Sequence, residues 1–433
     1  MAKFKVEIKS KDMIKPLSPT PNHLKNHQLS FIDKFAPPVL MPFIFFYNTP
    51  FNYNNSINSQ TTTKLLKKSL SETLVQFYPL AGRIEGNLSI NCNDEGAEFY
   101  EADVLASLAE VIVNPDPDEL IRLLPYATVR TNTSIVTAVQ VNRFSCGGMA
   151  ISVCISHKIG DATTDIAFIN TWGRNARGGV SDSDDNLVTF DSTPFLTPMD
   201  LNGIFDPESV ISKKKIVTRR LVFDKEKLDE LKKQYDDGQL GSPPTRVTAV
   251  YAFLWNKLIK IARAKPTPPK ISSASIAVNL RAIRGSPIPN NCYGNLYWIP
   301  FAHTSIESEN TETIVKLKTV LKQNDMSLLR KIKTGECLLE FQEAYTNFSK
   351  RGIYFCSFSS LIRMPLYEVN FGWGTPLWVS QTTLPFKNNV ILFSTKCGQG
   401  IEAWVHVLDE YVAMLDQDQE IHPLASHCMR AKL

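Results

Sequence analysis

Apolar residues recur at helical spacing in one early segment of the chain. Leu66, Leu70 and Leu74 lie one turn apart. This spacing predicts an amphipathic helix over residues 64–77 that ends before Pro79.

Alternating patterns follow further along the first half. Residues 135–144 and 149–156 place branched apolar side chains at every second position. Between them, the segment Ser145-Cys146-Gly147-Gly148 is typical of a tight turn. The pattern therefore predicts a β-hairpin.

The second half of the chain carries the same mixture of periodicities. The predicted strands there are 216–223, 271–280, 353–359, 377–384 and 390–394. The predicted helices are 225–235, 247–263, 312–323 and 328–348. Helices and strands in both halves predict an α/β or α+β fold with two packed layers.

One long segment, from Arg174 to Lys215, shows neither periodicity. It contains paired glycines, an acidic patch and scattered prolines, which are typical of a connection between domains. We therefore predict a first domain over 1–175, a crossover linker over 176–215 and a second domain over 216–433.

Composition narrows the class of protein without indicating an activity. Hydrophobic residues make up 43% and charged residues 21%, which excludes a disordered chain. The net charge of +4 over 433 residues is too small for a nucleic-acid-binding surface. The start of the chain lacks the apolar core of a signal peptide, and the eight cysteines never form Cys-x-x-Cys. With no apolar run of a membrane-spanning length, we expect an intracellular globular protein with reduced thiols.

The most informative candidate site is His157-Lys158-Ile159-Gly160-Asp161, between a predicted strand and an apolar stripe typical of a helix. A histidine at a strand end titrates near neutral pH and can accept a proton from a substrate. Gly160 would leave room for a ligand near the backbone. The spacing alone also fits a histidine bonded within a turn, with Asp161 capping the helix.

Other chemistries find weaker support in the sequence. Zinc-site spacings are absent, and neither the pair His23 and His27 nor the group His422, His427 and Cys428 predicts a metal centre. No serine nucleophile elbow or phosphate-binding loop is present. Phe371-Gly372-Trp373-Gly374 indicates a tight turn around a packed tryptophan.

Taken together, these segments resemble the plant BAHD acyltransferases, which use acyl-CoA. The segment 157–161 is similar to the family's His-x-x-x-Asp, and 370–374 is similar to its Asp-Phe-Gly-Trp-Gly with Asn370 in place of Asp. Further similar segments, in chain order, are 18–21, 29–33, 77–83, 91–96, 245–247 and 278–281. The details resemble most the branch that holds vinorine synthase, related alkaloid O-acetyltransferases and acylsugar acyltransferases.

The resemblance implies two similar chloramphenicol-acetyltransferase-like domains with an active-site channel between them. It implies His157 as general base, acyl-CoA as cosubstrate, and no permanently bound cofactor or metal. Asp161 would be a structural residue that turns away from the channel and pairs with an arginine. Residue 370 would pair with Arg281, and Gly160, Gly372, Trp373 and Gly374 would support the site. The sequence identifies no residue that contacts CoA.

The expected function is transfer of an acyl group, most simply acetyl, to a hydroxyl of a plant specialised metabolite. The expected acceptor is an alkaloid; an acylsugar or triterpenoid hydroxyl is the alternative, and a non-catalytic binding protein on the same fold is a further one. We expect a cytoplasmic monomer that binds no nucleic acid. The tripeptide Ala431-Lys432-Leu433 leaves peroxisomal import as an alternative location.

Overall fold

The structure, a computed structural model, describes residues 4–48, 59–126, 133–179, 188–196, 205–236, 242–308, 310–338, 341–342 and 352–425.

The strands in chain order are β1 (Val6–Ile14), β2 (Asn26–Gln28), β3 (Leu40–Tyr47), β4 (Arg83–Glu85), β5 (Ser89–Asn91), β6 (Ala97–Val104), β7 (Thr137–Phe144), β8 (Met149–Ser156), β9 (Ile216–Phe223), β10 (Ile271–Ile276), β11 (Val278–Asn279), β12 (Tyr297–Trp298), β13 (Phe301–Ser305), β14 (Tyr354–Ser360), β15 (Trp378–Ser380), β16 (Asn389–Ser394) and β17 (Ile401–Leu408). The α-helices are α1 (Phe31–Phe35), α2 (Ser59–Gln76), α3 (Leu108–Ile112), α4 (Ala162–Ala176), α5 (Lys225–Gln234), α6 (Arg246–Arg263), α7 (Asn310–Lys322), α8 (Met326–Thr334), α9 (Asp409–Asp416) and α10 (His422–Ala425).

Two six-stranded mixed sheets form the framework. The first has the order β1-β6-β7-β8-β3-β15, and the second has the order β13-β10-β14-β16-β17-β9. β15 comes from the second half of the chain but pairs with β3, with Val379 opposite Phe45. The chain therefore crosses back to complete the first sheet.

Helices cover each sheet with apolar faces. In the first layer, α2 packs on α4, and the indole N–H of Trp172 donates to the carbonyl oxygen of Leu66 across that contact at 3.1 Å. In the second layer, α6 packs near β14, and Trp255 Nε1 donates to Ser272 Oγ at 2.8 Å. Both tryptophans are fully buried, so each layer has a core of its own.

A third apolar cluster lies at the junction of the two halves. It joins Phe31 and Phe35 of α1 to Trp298 and Phe341. The ring centroids of Phe35 and Phe341 are 4.9 Å apart. This cluster ties the short helix beside the first sheet to the C-terminal half of the chain.

Several predicted elements are confirmed, and three need correction. β8 and β9 match their predicted ranges residue for residue. The predicted strand 271–280 divides into β10 and β11, and that over 377–384 is only three residues long. The predicted helix 328–348 is interrupted: α8 ends at Thr334, because Gly335 adopts a left-handed conformation with φ of 82°, and residues 336–338 and 341–342 are helical again. Residues 339–340 and 343–348 of that prediction lie outside the described residues.

Among the residues that the structure describes, we find no helix with the length and apolar content to span a bilayer.

Candidate active site

The backbone of His157 is held on both sides by residues distant in sequence. It directly follows β8, the last strand of the predicted hairpin, and its N–H donates to the carbonyl oxygen of Val39 at 2.9 Å. Its own carbonyl oxygen accepts from Asn295 Nδ2 at 2.7 Å. The position of the imidazole is therefore fixed by contacts from both halves of the chain.

The imidazole has a defined hydrogen-bonding state. Nδ1 of His157 lies 3.2 Å from the carbonyl oxygen of Gly160. Since a carbonyl can only accept, Nδ1 carries the proton and the neutral ring keeps a lone pair on Nε2. Burial lowers the pKa of His157 below its ordinary value, while the bond to Gly160 and the charge of Asp161 oppose that shift. At neutral pH the ring is thus ready to accept a proton.

His157 lies on the wall of a cavity of about 630 Å³. Residues of the first half, such as Phe43, and of the second half, such as Tyr297, Phe355 and Asn389, form the wall together. The Tyr297 ring lies 5.9 Å from the imidazole, centroid to centroid. The mostly apolar wall suits a hydrophobic small molecule.

Asp161 lies at the start of α4, at the edge of the cavity, and both of its carboxylate oxygens bond to the protein. One carboxylate oxygen, Oδ1, caps the helix by accepting from the N–H of Thr164 at 3.0 Å. The other, Oδ2, accepts from Arg281 Nη1 at 2.7 Å and from the N–H of Leu296 at 3.1 Å. Asp161 therefore joins the helix after His157 to the segment that includes Arg281 and Leu296.

The guanidinium N–H groups of Arg281 donate to Asp161 and to backbone carbonyl oxygens of the loop before Leu296. Besides Asp161, its Nε donates to the carbonyl oxygen of Cys292 at 2.8 Å. Its side chain is only 2% exposed. The expected pairing of Arg281 with residue 370 is therefore wrong, because the guanidinium is already enclosed by Asp161 and the loop carbonyls.

Gly160 is required by close packing next to the site. A Cβ at this position would lie 2.6 Å from Cγ2 of Thr164, within the first turn of α4. We expected a glycine here because it leaves room for a ligand; the contact with Thr164 is a second reason that no side chain fits at position 160. Any side chain at 160 would displace the residue that Asp161 caps.

Asn370 lies at the far end of α4 and organises its own turn. Its Oδ1 accepts from the N–H groups of Gly372 at 2.8 Å and Gly374 at 3.1 Å. Both glycines have positive φ, 115° and 103°. These bonds form the tight turn that the sequence predicts.

The turn docks on α4 through aromatic contacts. Phe371 meets the indole of Trp172 edge to face, with centroids 4.8 Å apart, and stacks on Trp373 at 5.6 Å. A Cβ at Gly173 would lie 2.7 Å from the carbonyl oxygen of Asn370. The motif from the second half thus stabilises the C-terminal part of the helix whose N-terminus follows His157.

Sequence reasoning missed two residues that support His157. Asp33 Oδ1 accepts from Nδ2 of Asn295 at 2.8 Å, and the same Nδ2 donates to the His157 carbonyl. Asp33 lies in the segment 29–33, which contributed to the resemblance without a role. Its partner is 262 residues away in sequence, so no local pattern indicates the contact.

Lys158 also supports the loop and was not singled out. Its Nζ donates to the carbonyl oxygen of Lys34 at 3.0 Å and to Asn87 Oδ1 at 2.7 Å. Burial lowers the pKa of Lys158 to about 8, with the charge of Asp33 opposing the shift. This lysine anchors the residue next to His157 to the end of α1.

Within the described part of the chain, no group of three or more His, Cys, Asp or Glu residues is arranged to hold a metal ion. His427, Cys428 and the tripeptide 431–433 lie outside the described residues.

Comparison with known proteins identifies relatives over almost the whole chain. Residues 4–422 match the model of the Transferase family. The chain is 36% identical over 427 residues to stemmadenine O-acetyltransferase of Catharanthus roseus, which covers 95% of this chain and 96% of the relative. It is also 36% identical over 437 residues to limonoid 1-O-acetyltransferase of Citrus sinensis, covering 96% and 97%.

A solved structure agrees with these sequence matches. The crystal structure of vinorine synthase aligns with a TM-score of 0.83 at 32% identity, over 97% of this chain and 98% of that chain. The predicted fold class, two similar chloramphenicol-acetyltransferase-like domains, is confirmed by this agreement.

Proposed function

The chain belongs to the Transferase family, the BAHD acyltransferases, and on that premise we propose that it moves an acetyl group from acetyl-CoA to a hydroxyl of an alkaloid. His157 is the general base. The observation that carries this assignment is the imidazole on the cavity wall, with Nδ1 bonded to Gly160 and Nε2 left as the proton acceptor.

The reaction follows from the state of the imidazole. Nε2 of His157 takes the proton of the acceptor hydroxyl as its oxygen attacks the thioester carbonyl carbon. The tetrahedral oxyanion then collapses, the carbon–sulfur bond breaks and CoA leaves as a thiolate. By analogy with cysteine, its conjugate acid has a pKa near ~8.5, so it departs with little help, and the imidazolium returns the proton to the thiolate or to water.

This route needs no covalent enzyme intermediate. Cys154, near His157 in sequence, is buried, and burial raises the pKa of its thiol far above the ordinary value. It is therefore a poor nucleophile at neutral pH. Direct transfer between two bound substrates is the simpler mechanism.

The supporting residues act by positioning. We propose that Asp161, Arg281 and Gly160 hold the loop after β8, and that Asn370, Gly372, Trp373 and Gly374 hold α4 from its other end. We also propose the division into domains at 1–175, 176–215 and 216–433, with the two substrates meeting in the channel between them.

The choice of acceptor rests on the relatives. Stemmadenine O-acetyltransferase by its name acts on an alkaloid and limonoid 1-O-acetyltransferase on a limonoid. A triterpenoid hydroxyl is therefore the second candidate, ahead of an acylsugar. A non-catalytic binding protein is disfavoured by the intact His157.

An acceptor screen tests this proposal. Purified protein is incubated with acetyl-CoA and a panel of alkaloid, limonoid and sugar-ester alcohols, and thioester loss and product mass are followed together. We expect acetylation of an alkaloid alcohol. Thioester loss with no acceptor in the panel modified, or binding without turnover, would contradict it.

We also propose a cytoplasmic monomer. Sedimentation of the purified protein tests the oligomeric state, and a dimer would contradict it. A fluorescent fusion that leaves 431–433 at the C-terminus tests the compartment: diffuse signal supports the cytoplasm, and punctate peroxisomal signal supports the alternative address.

A further inference from the structure

Asp165 is a buried carboxyl group on the wall of the large cavity. The residue lies in the first turn of α4, one turn after Asp161, and is only 2% exposed. Among the described residues, its Oδ1 has no hydrogen-bond partner. An unpaired buried polar atom lowers the stability of the folded state, so its presence calls for an explanation.

The groups around Asp165 do not supply a countercharge. Asp161 is the nearest acid on the same helix, and its own charge is taken up by Arg281 at 2.7 Å. His157, Tyr297 and Lys387 are the other titratable groups on the cavity wall, and none of them forms a described bond with Asp165. Burial, followed by the charge of Asp161, raises the pKa of Asp165 well above its ordinary range. Burial of Asp165 thus favours its neutral form over the carboxylate.

Two further oxygens on the same wall are also buried and unpaired within the part of the chain that the structure describes. Gln381 Oε1 and Asn389 Oδ1 are buried and lack hydrogen-bond partners within the described chain. Each of the three atoms is an oxygen with a lone pair that can accept a hydrogen bond, and the rest of the wall is largely apolar. The cavity is therefore suited to a hydrophobic molecule that brings its own hydrogen-bond donors, and a cationic N–H is the donor that a carboxyl binds most strongly.

We propose that Asp165 binds the protonated tertiary amine of the acceptor, and so selects basic alkaloid alcohols over neutral limonoid and sugar-ester alcohols. This inference rests on the proposed acetyl transfer to an alkaloid. It adds the residue that recognises the basic nitrogen.

The ion pair has a consequence for protons. Burial favours the protonated acid before the ligand binds, and the amine enters as an ammonium ion, so formation of the ion pair favours loss of the Asp165 proton. We therefore expect binding of the amine to release protons to the buffer.

A matched pair of small probes tests the proposal by binding alone. Quinuclidinol is a cage-shaped alcohol with a basic tertiary nitrogen, and bicyclooctanol has the same shape with carbon in that place. We expect wild-type protein to bind quinuclidinol at least about tenfold more tightly, which corresponds to one desolvated charge pair. Calorimetry in two buffers of different ionisation heat should show proton release with the amine alone.

Variants assign the preference to one side chain. Asp165→Asn should bind both probes about equally and release no proton. Ser359→Ala, which removes a hydroxyl elsewhere on the same wall, should keep the preference. Equal binding by the wild type, no amine binding at all, or a preference that survives in Asp165→Asn would each overturn the proposal.

Stability separates this role from a structural one. Asp165→Asn removes a group that resists ionisation in the folded state, so its melting temperature at neutral pH should match or exceed that of the wild type. A clear loss of stability would indicate a structural carboxyl and contradict the proposal. Acetylation of neutral alcohols alone would reject the amine preference while leaving acetyl transfer intact, so the two failures can be told apart.

Discussion

Arg281 Nη1 lies 2.7 Å from Oδ2 of Asp161, with both side chains largely enclosed. This ion pair links the helix that follows His157 to the loop that also provides Asn295. The position of the catalytic imidazole thus depends on a contact between residues 120 apart in the sequence.

Asp161→Asn should lose both stability and activity. The amide keeps the helix cap but leaves the buried guanidinium of Arg281 without its countercharge, which costs about 3–5 kcal/mol of unfolding free energy. Denaturant unfolding and kcat/KM measure the two effects. Asp224→Asn is the matched control, since Asp224 caps α5 from an exposed position by accepting from Lys227 N. Full activity with unchanged stability in Asp161→Asn would contradict the assignment.

Asn295→Ala should reduce kcat more than its stability loss explains. The change removes the bond to the His157 carbonyl and the side-chain donor to Asp33 Oδ1, at a cost of about 1–3 kcal/mol, while the backbone N–H of residue 295 still donates to Asp33. A misplacement of the base by about 1 Å can lower the rate by about a hundredfold. Asn142→Ala is the control, because Asn142 is equally buried but lies in β7 and bonds the Leu123 carbonyl. Equal rates in the two variants would contradict a positioning role.

Asn370→Asp should raise the melting temperature without changing turnover. A carboxylate strengthens the two bonds from Gly372 and Gly374, a gain of about 1 kcal/mol. For a chain of this length, that corresponds to a rise of about 1 °C, which calorimetry can measure. Asn370→Ala, which loses both bonds, should melt lower than either. A fall in the melting temperature of Asn370→Asp would reject this account.

The pH profile should report the lowered pKa of His157. A general base is active when neutral, so the acid limb of kcat/KM should lie below the ordinary histidine pKa of about 6.5. Removing the Asp161 charge takes away an influence that raises this pKa, so the limb of Asp161→Asn should move to still lower pH. A wild-type limb above pH ~7 would contradict the buried, neutral imidazole.

Local sequence patterns predicted the elements whose bounds depend on neighbouring residues alone. β8 has strict apolar alternation and a glycine turn before it, and its bounds were predicted without error. The strand predicted at 377–384 is shorter because Trp378–Ser380 pairs with the first sheet, while Gln381 already lines the cavity. Apolar alternation along a strand does not indicate which of two sheets the strand will join, because that depends on contacts with distant segments.

The residues of the candidate site also divide into those that a local pattern indicates and those that only distant contacts bring together. His157 and Asp161 lie within five residues, so their spacing could indicate a site and a helix cap. The contacts of Asp33 with Asn295 and of Arg281 with Asp161 join distant segments, and the wrong pairing of Arg281 with residue 370 shows how easily a distant partner is misassigned. No local pattern distinguishes Asp165 from other polar residues of a helix, because the cavity beside it is formed by residues from both halves of the chain.

The central claim, that His157 is the general base, is tested most directly by single-turnover transfer from acetyl-CoA to the best acceptor of the screen. His157→Ala should fold with an unchanged melting temperature and lose at least about a hundredfold in rate. His23→Ala, at an exposed position away from the cavity, should keep the wild-type rate. A folded His157→Ala variant with near-wild-type transfer would contradict the account.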